Sequence, residues 1–73
     1  MEDKIISIIA ARTKQSEDYL KAHKDEKKLW DSLQHVEIVL ALEEEYDLMF
    51  GPEDIEAMQD INSIITIVQR KVM

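Results

Sequence analysis

The side chains with the types and spacing to do chemistry cluster in one run, Asp31-Ser32-Leu33-Gln34-His35, which offers a carboxylate, a hydroxyl and an imidazole within five positions. Asp followed by Ser just ahead of an apolar periodic stretch marks a helix start, and Gln34 three residues after Asp31 completes a loose capping-box pattern. The spacing therefore places Ser32 in the first turn of a helix. Its hydroxyl points outward, beside backbone N–H groups that have no partner within the helix. Nucleophilic catalysis fits this run poorly. Neither His35 nor His23 stands in a context that supplies a general base with an orienting carboxylate, and His35 reads as an ordinary polar helix residue. Glu43-Glu44-Glu45 does not read as a metal site either, because successive helix residues point in different directions and cannot chelate together. With no Cys in the chain, disulfides and thiolate metal sites are excluded.

The elements that must position this run are helical. One Gly, one Pro and few aromatic residues argue against an all-β fold. Residues 3–13 set Ile5, Ile8, Ile9 and Arg12 at helical spacing, with Ile6 off the stripe and Asp3 near the N-terminus. Residues 14–30 are mostly polar and read as a long connection with room for a helical turn or two after Ser16. Its apolar pairs, Tyr19-Leu20 and Leu29-Trp30, are the candidate anchors. The clearest periodicity lies in 32–48, where Ile38, Leu42 and Tyr46 recur four apart with Val39 beside them. That helix is expected to end near Asp47–Met49, ahead of Gly51-Pro52. Pro52, Glu53 and Asp54 suit the first turn of a short helix over 52–58. Asp60 or Asn62 then caps a last helix with an apolar face of Ile61, Ile64, Ile65 and Val68. The expected architecture is all-α: a small four-helix bundle forming a single domain over residues 1–73, with three longer helices, one short helix and a long loop after the first. Ile5, Ile8, Ile9, Ile38, Leu42, Tyr46, Ile64 and Val68 are assigned to its core.

Residues 30–47, Trp30-Asp31-Ser32-Leu33-Gln34-His35-Val36-Glu37-Ile38-Val39-Leu40-Ala41-Leu42-Glu43-Glu44-Glu45-Tyr46-Asp47, resemble the signature of acyl carrier proteins. In that family an Asp-Ser-Leu triplet opens a helix of alternating apolar and acidic residues, which closes on a run of Glu, an aromatic residue and an Asp. A short helix after a Pro and an Ile-rich last helix also follow the family order. The resemblance covers residues 31–73 well and residues 1–30 in outline. It implies a bundle of acyl-carrier type. It further implies a 4'-phosphopantetheine arm, transferred from coenzyme A onto Ser32 by a phosphopantetheinyl transferase. The protein would hold acyl or similar thioesters for fatty acid, polyketide or specialised pathways and catalyse nothing itself. A phosphodiester on Ser32 would gain roughly 0.3–1 kcal/mol from the helix N-terminus, enough to orient the arm. By the same resemblance Asp31 contacts basic residues of the transferase and of partner enzymes, in addition to capping the helix.

The distribution of charge fits partners of that kind. Residues 1–30 carry seven basic and six acidic side chains, a net of +1, whereas residues 31–73 carry two basic and ten acidic, a net of −8. An acidic half repels phosphate backbones, which argues against nucleic acid, and steers toward basic patches on proteins. Glu37 and Glu44 lie two turns apart on one face with Glu43 close by, and Val36 and Leu40 fall between them, off the core stripe. With Asp31 and Leu33, these residues form the expected docking surface for acyl-loading and acyl-processing enzymes; the alternative is that Val36 and Leu40 pack under the 14–30 connection. The acidic, polar start leads into only six mostly apolar residues, so neither a signal peptide nor a membrane span is expected, and the chain reads as a cytoplasmic monomer. Two features depart from the family. Leu29-Trp30 precede Asp31 where many members have a Gly two residues before the Asp, and Lys21, Lys24, Lys27 and Lys28 make residues 21–28 basic. Both point to a selective transferase and a specialised client. The competing reading is a degenerate carrier fold, unmodified, in which Ser32 only caps the helix and the protein acts as an interaction module.

Overall fold

The computed structural model describes residues 2–72 and contains five helices, with no strand among the described residues: α1 (Glu2–Thr13), α2 (Glu17–Ala22), α3 (Ser32–Tyr46), α4 (Pro52–Ala57) and α5 (Ile61–Val72). The all-α expectation holds, and the count rises from four to five because the connection after α1 folds a helix of its own. Ser16 caps it by accepting a hydrogen bond from the Tyr19 N–H at 3.1 Å. Glu17 and Asp18 sit in its first turn and Lys21 in its last, each sign at the end of the helix dipole that favours it. Six residues do not hold a helix alone. Burial of Leu20 fixes this one, since its side chain is fully enclosed while its neighbour Tyr19 stays exposed.

The α1 helix is the hub, packing on α2, α3 and α5, while α4 packs on α5. That explains two departures from the expected core. A helix with neighbours on several sides buries a broad arc, and at about 100° per residue Ile5, Ile6, Ile9 and Thr13 share one. All four are buried, so Ile6 belongs to the core and Ile8, beyond the edge of the arc, is only partly covered. Thr13, not Arg12, ends the buried face, and its hydroxyl donates to the Ile9 carbonyl at 2.8 Å. Ile38, Leu42, Ile64 and Val68 are fully buried as expected, joined by Ile61, Met58 and Val39. Tyr46 packs against this cluster only in part; burial, then the Glu45 charge, pushes its phenol above the usual tyrosine range.

The ends of the helices follow local chemistry. Asp47 closes α3 in the left-handed region, at φ 52°, with its N–H donating to the Glu43 carbonyl. Asp60 caps α5 through the Ser63 N–H at 3.1 Å. Asn62, the other candidate for that cap, reaches back instead: its N–H donates to the Lys24 carbonyl at 3.2 Å and its side-chain amide to Asp25. The loop after α2 is thereby stitched to the start of α5. Its far end is tied by Gln15 Nε2, which donates to the Leu29 carbonyl at 2.8 Å. At the opposite end of α5, Lys71 Nζ meets Asp54 Oδ2 of α4 at 2.9 Å, and this bond, with the Gly51 N–H, holds the Asp54 carboxyl below the usual carboxylate range.

Candidate functional site

The segment leading into α3 and the first two turns of α3 carry the site. Asp31 is the N-cap, extended at φ −86° and ψ 178°. Its Oδ1 accepts the Gln34 N–H at 2.8 Å, and Gln34 Oε1 accepts the Asp31 N–H at 3.2 Å, so both halves of the capping box form. The Ser32 hydroxyl takes no part in that cap. Ser32 is the first residue of α3 and is exposed. The cap engages the N–H of Gln34, and those of Ser32 and Leu33 have no partner within the helix. The chain thus presents a hydroxyl at the positive end of a 15-residue helix, with the stabilising work assigned to its neighbour.

Beyond Ser32, α3 splits into two faces. Ile38, Val39 and Leu42 point into the core, whereas Leu33 is 70% exposed, Val36 51% and Leu40 54%. These exposures dispose of the alternative that Val36 and Leu40 lie under the 14–30 connection. At about 100° per residue, Leu33, Val36 and Leu40 fall within one narrow stripe, with Glu37 and Glu44 beside it. Both of these Glu residues are exposed. Glu43 differs: it is half-buried, and its Oε2 accepts the Phe50 N–H at 2.9 Å, which ties the turn after α3 back to the helix. Part of its charge is committed to the fold. Glu45 reaches Lys4 Nζ of α1 at 3.7 Å. The three consecutive Glu therefore face a backbone amide, solvent and a lysine respectively.

A surface recess of about 480 Å³ opens beside Ser32, walled by Trp30 and His35 on one side and by Ile55 and Gln59 on the other. The side facing α3 is held by hydrogen bonds that residue spacing does not reveal. Trp30 Nε1 donates to His35 Nδ1 at 3.0 Å, and His35 Nε2 lies 3.0 Å from the Ile55 carbonyl. Trp30 is thereby held against α3 through His35, which is more than the plain helix residue that its context suggests. No periodic signal marks the pair, because the bonded partners lie five and twenty residues apart. His23, by contrast, pairs with Glu26 at 2.7 Å in the loop after α2. No helix among the described residues is long and apolar enough to cross a membrane.

Comparison with protein-family models and with curated proteins found no match for this chain.

Proposed function

We propose that the protein is a carrier of acyl-carrier type that holds thioester cargo on a 4'-phosphopantetheine arm at Ser32. The observation that carries this reading is the separation of roles at the head of α3. Asp31 and Gln34 complete the cap between them, which leaves the Ser32 hydroxyl exposed and unused by the fold. In the attachment step Ser32 Oγ would form a bond to the phosphorus that bears the pantetheine in coenzyme A. The phosphoanhydride bond to the nucleotide breaks, the nucleotide leaves with its pair of electrons, and the hydroxyl proton passes to solvent or to a base on the transferase. The resulting phosphodiester anion would sit where the helix dipole and two unpaired N–H groups favour it. The resemblance of residues 30–47 to the acyl carrier signature supplies the identity of the arm.

The exposed stripe of Leu33, Val36 and Leu40 supports the second half of the reading. An apolar strip rimmed by Glu37 and Glu44 suits a basic enzyme surface with an apolar centre: the carboxylates steer, and the apolar side chains are desolvated on contact. Contacts of this kind are small and short-lived, as a carrier that visits several enzymes in turn requires. Reversing both charges, Glu37→Lys with Glu44→Lys, is expected to slow attachment of the arm about tenfold at low ionic strength. The difference should shrink toward unity near 1 M salt, where the screening length falls to about 3 Å. A defect that persists unchanged in high salt would point away from electrostatic steering.

The reading is tested by incubating the purified protein with coenzyme A and several phosphopantetheinyl transferases of broad and narrow specificity, followed by intact mass measurement. A single phosphopantetheine adduct is expected. Absence of an adduct with every transferase would favour the interaction module without an arm.

A further inference from the structure

We infer that His35 is a positioning residue for the recess beside Ser32, and that it acts only as the neutral imidazole protonated at Nε2. The Trp30 indole has a single polar hydrogen, so in the 3.0 Å contact Nε1 must donate and His35 Nδ1 must accept. A backbone carbonyl has only lone pairs to offer, so in the second 3.0 Å contact His35 Nε2 must donate to the Ile55 oxygen. One protonation state satisfies both contacts. The two ring planes are nearly parallel, 13° apart, and their centroids are 6.3 Å apart, too far for face-to-face contact, while the indole N–H reaches the imidazole nitrogen at 3.0 Å.

The consequence is a strut across three pieces of chain. His35, in the second turn of α3, holds the Trp30 side chain from the segment before the helix and the Ile55 carbonyl from α4. Trp30, His35 and Ile55 all line the recess that includes Ser32, so the strut sets the distance between its walls. A proton added at Nδ1 turns that acceptor into a donor, and two N–H groups then face each other across the Trp30 contact. The Ile55 contact survives, because Nε2 remains a donor. Protonation therefore releases the Trp30 wall and leaves the α4 wall in place. The other charged groups facing this recess are Lys28 and Asp31 from the segment before α3 and Glu56 from α4.

The Trp30–His35–Ile55 contacts involve no atom of Ser32 and hold whether or not it carries an arm. The test uses the intact protein labelled with ¹⁵N. The chain has a single Trp, so its indole N–H gives one unambiguous signal. At neutral pH the two His35 ring nitrogens should show the Nε2–H pattern. As pH is lowered, the indole signal should move in step with the His35 ring nitrogens toward the position of a solvated indole. In His35→Asn, which does not titrate, the indole signal should lie near that solvated position throughout and show no such step. A His35 ring protonated at Nδ1 at neutral pH would overturn the inference. So would an indole signal that ignores His35 protonation, or one that titrates in His35→Asn as it does in the wild type, which would assign the response to Asp31 or Glu56. If His35→Asn does not fold, the wild-type nitrogen pattern and the coincidence of the two titrations decide the question alone.

Discussion

Ser32→Ala is expected to abolish the phosphopantetheine adduct while leaving the stability of the protein within about 0.5 kcal/mol of wild type. The two halves of this result have separate causes. Attachment needs the hydroxyl oxygen, and Ala has none. The fold does not need it, because the cap of α3 is made by Asp31 and Gln34 and the Ser32 side chain is exposed. Asp31→Ala is the informative contrast. It removes the acceptor for the Gln34 N–H and should lower stability by roughly 0.5–2 kcal/mol. In a domain of this size each kcal/mol shifts the melting temperature by about 4–8 °C, so the two variants are separable by thermal melting and mass measurement on the same samples. Had Ser32 been the cap, Ser32→Ala would melt early and any loss of the adduct would be confounded with misfolding. A Ser32→Ala protein that still gains the adduct would move the attachment point elsewhere.

The second large effect is on the fold. Leu42→Ala should cost roughly 2–5 kcal/mol, the range for a fully enclosed Leu whose cavity only partly collapses. Small domains hold about 5–15 kcal/mol in total, and one this short buries a smaller share of its surface than a larger domain does, so this change threatens folding at physiological temperature. Leu40→Ala, two residues earlier on the same helix, removes the same atoms from a side chain that is 54% exposed. Its cost should stay near 0.5 kcal/mol or below. Urea titrations of both variants read the contrast directly as a large midpoint shift for Leu42→Ala and a small one for Leu40→Ala, at similar slope. Equal shifts would mean that the buried and exposed faces of α3 are wrongly divided.

The parts of the fold that were legible in the sequence are those governed by short-range chemistry. Asp31 with Gln34, Asp47 before Gly51-Pro52, and Asp60 ahead of an Ile-rich run act within a few residues of themselves, and each sits where its local pattern places it. The α2 helix was legible only as a turn or two after Ser16, because its six residues have no apolar stripe and a single buried Leu20 anchors it by tertiary contact. Ile6 was missed for a similar reason: the width of a buried arc depends on how many neighbours a helix has, which periodicity does not encode.

At the site, the Asp31 cap, the place of Ser32 in the first turn of α3 and the exposure of Val36 and Leu40 could be read from spacing. The partial commitment of Glu43 to Phe50 could not, because it depends on the path of the chain after α3. The Trp30–His35–Ile55 bridge was equally hidden. It joins residues whose separation matches no helical or strand period, and it becomes visible only when α4 is placed against the head of α3.

Whether Ser32 bears a thioester-carrying arm can be read on protein isolated from its native source. Intact mass followed by fragmentation of the peptide spanning residues 29–40 should place a phosphopantetheine group on Ser32, with an acyl thioester on some fraction of the molecules that hydroxylamine releases. Native protein carrying an unmodified Ser32 throughout, from cells actively producing it, would rule out a carrier role.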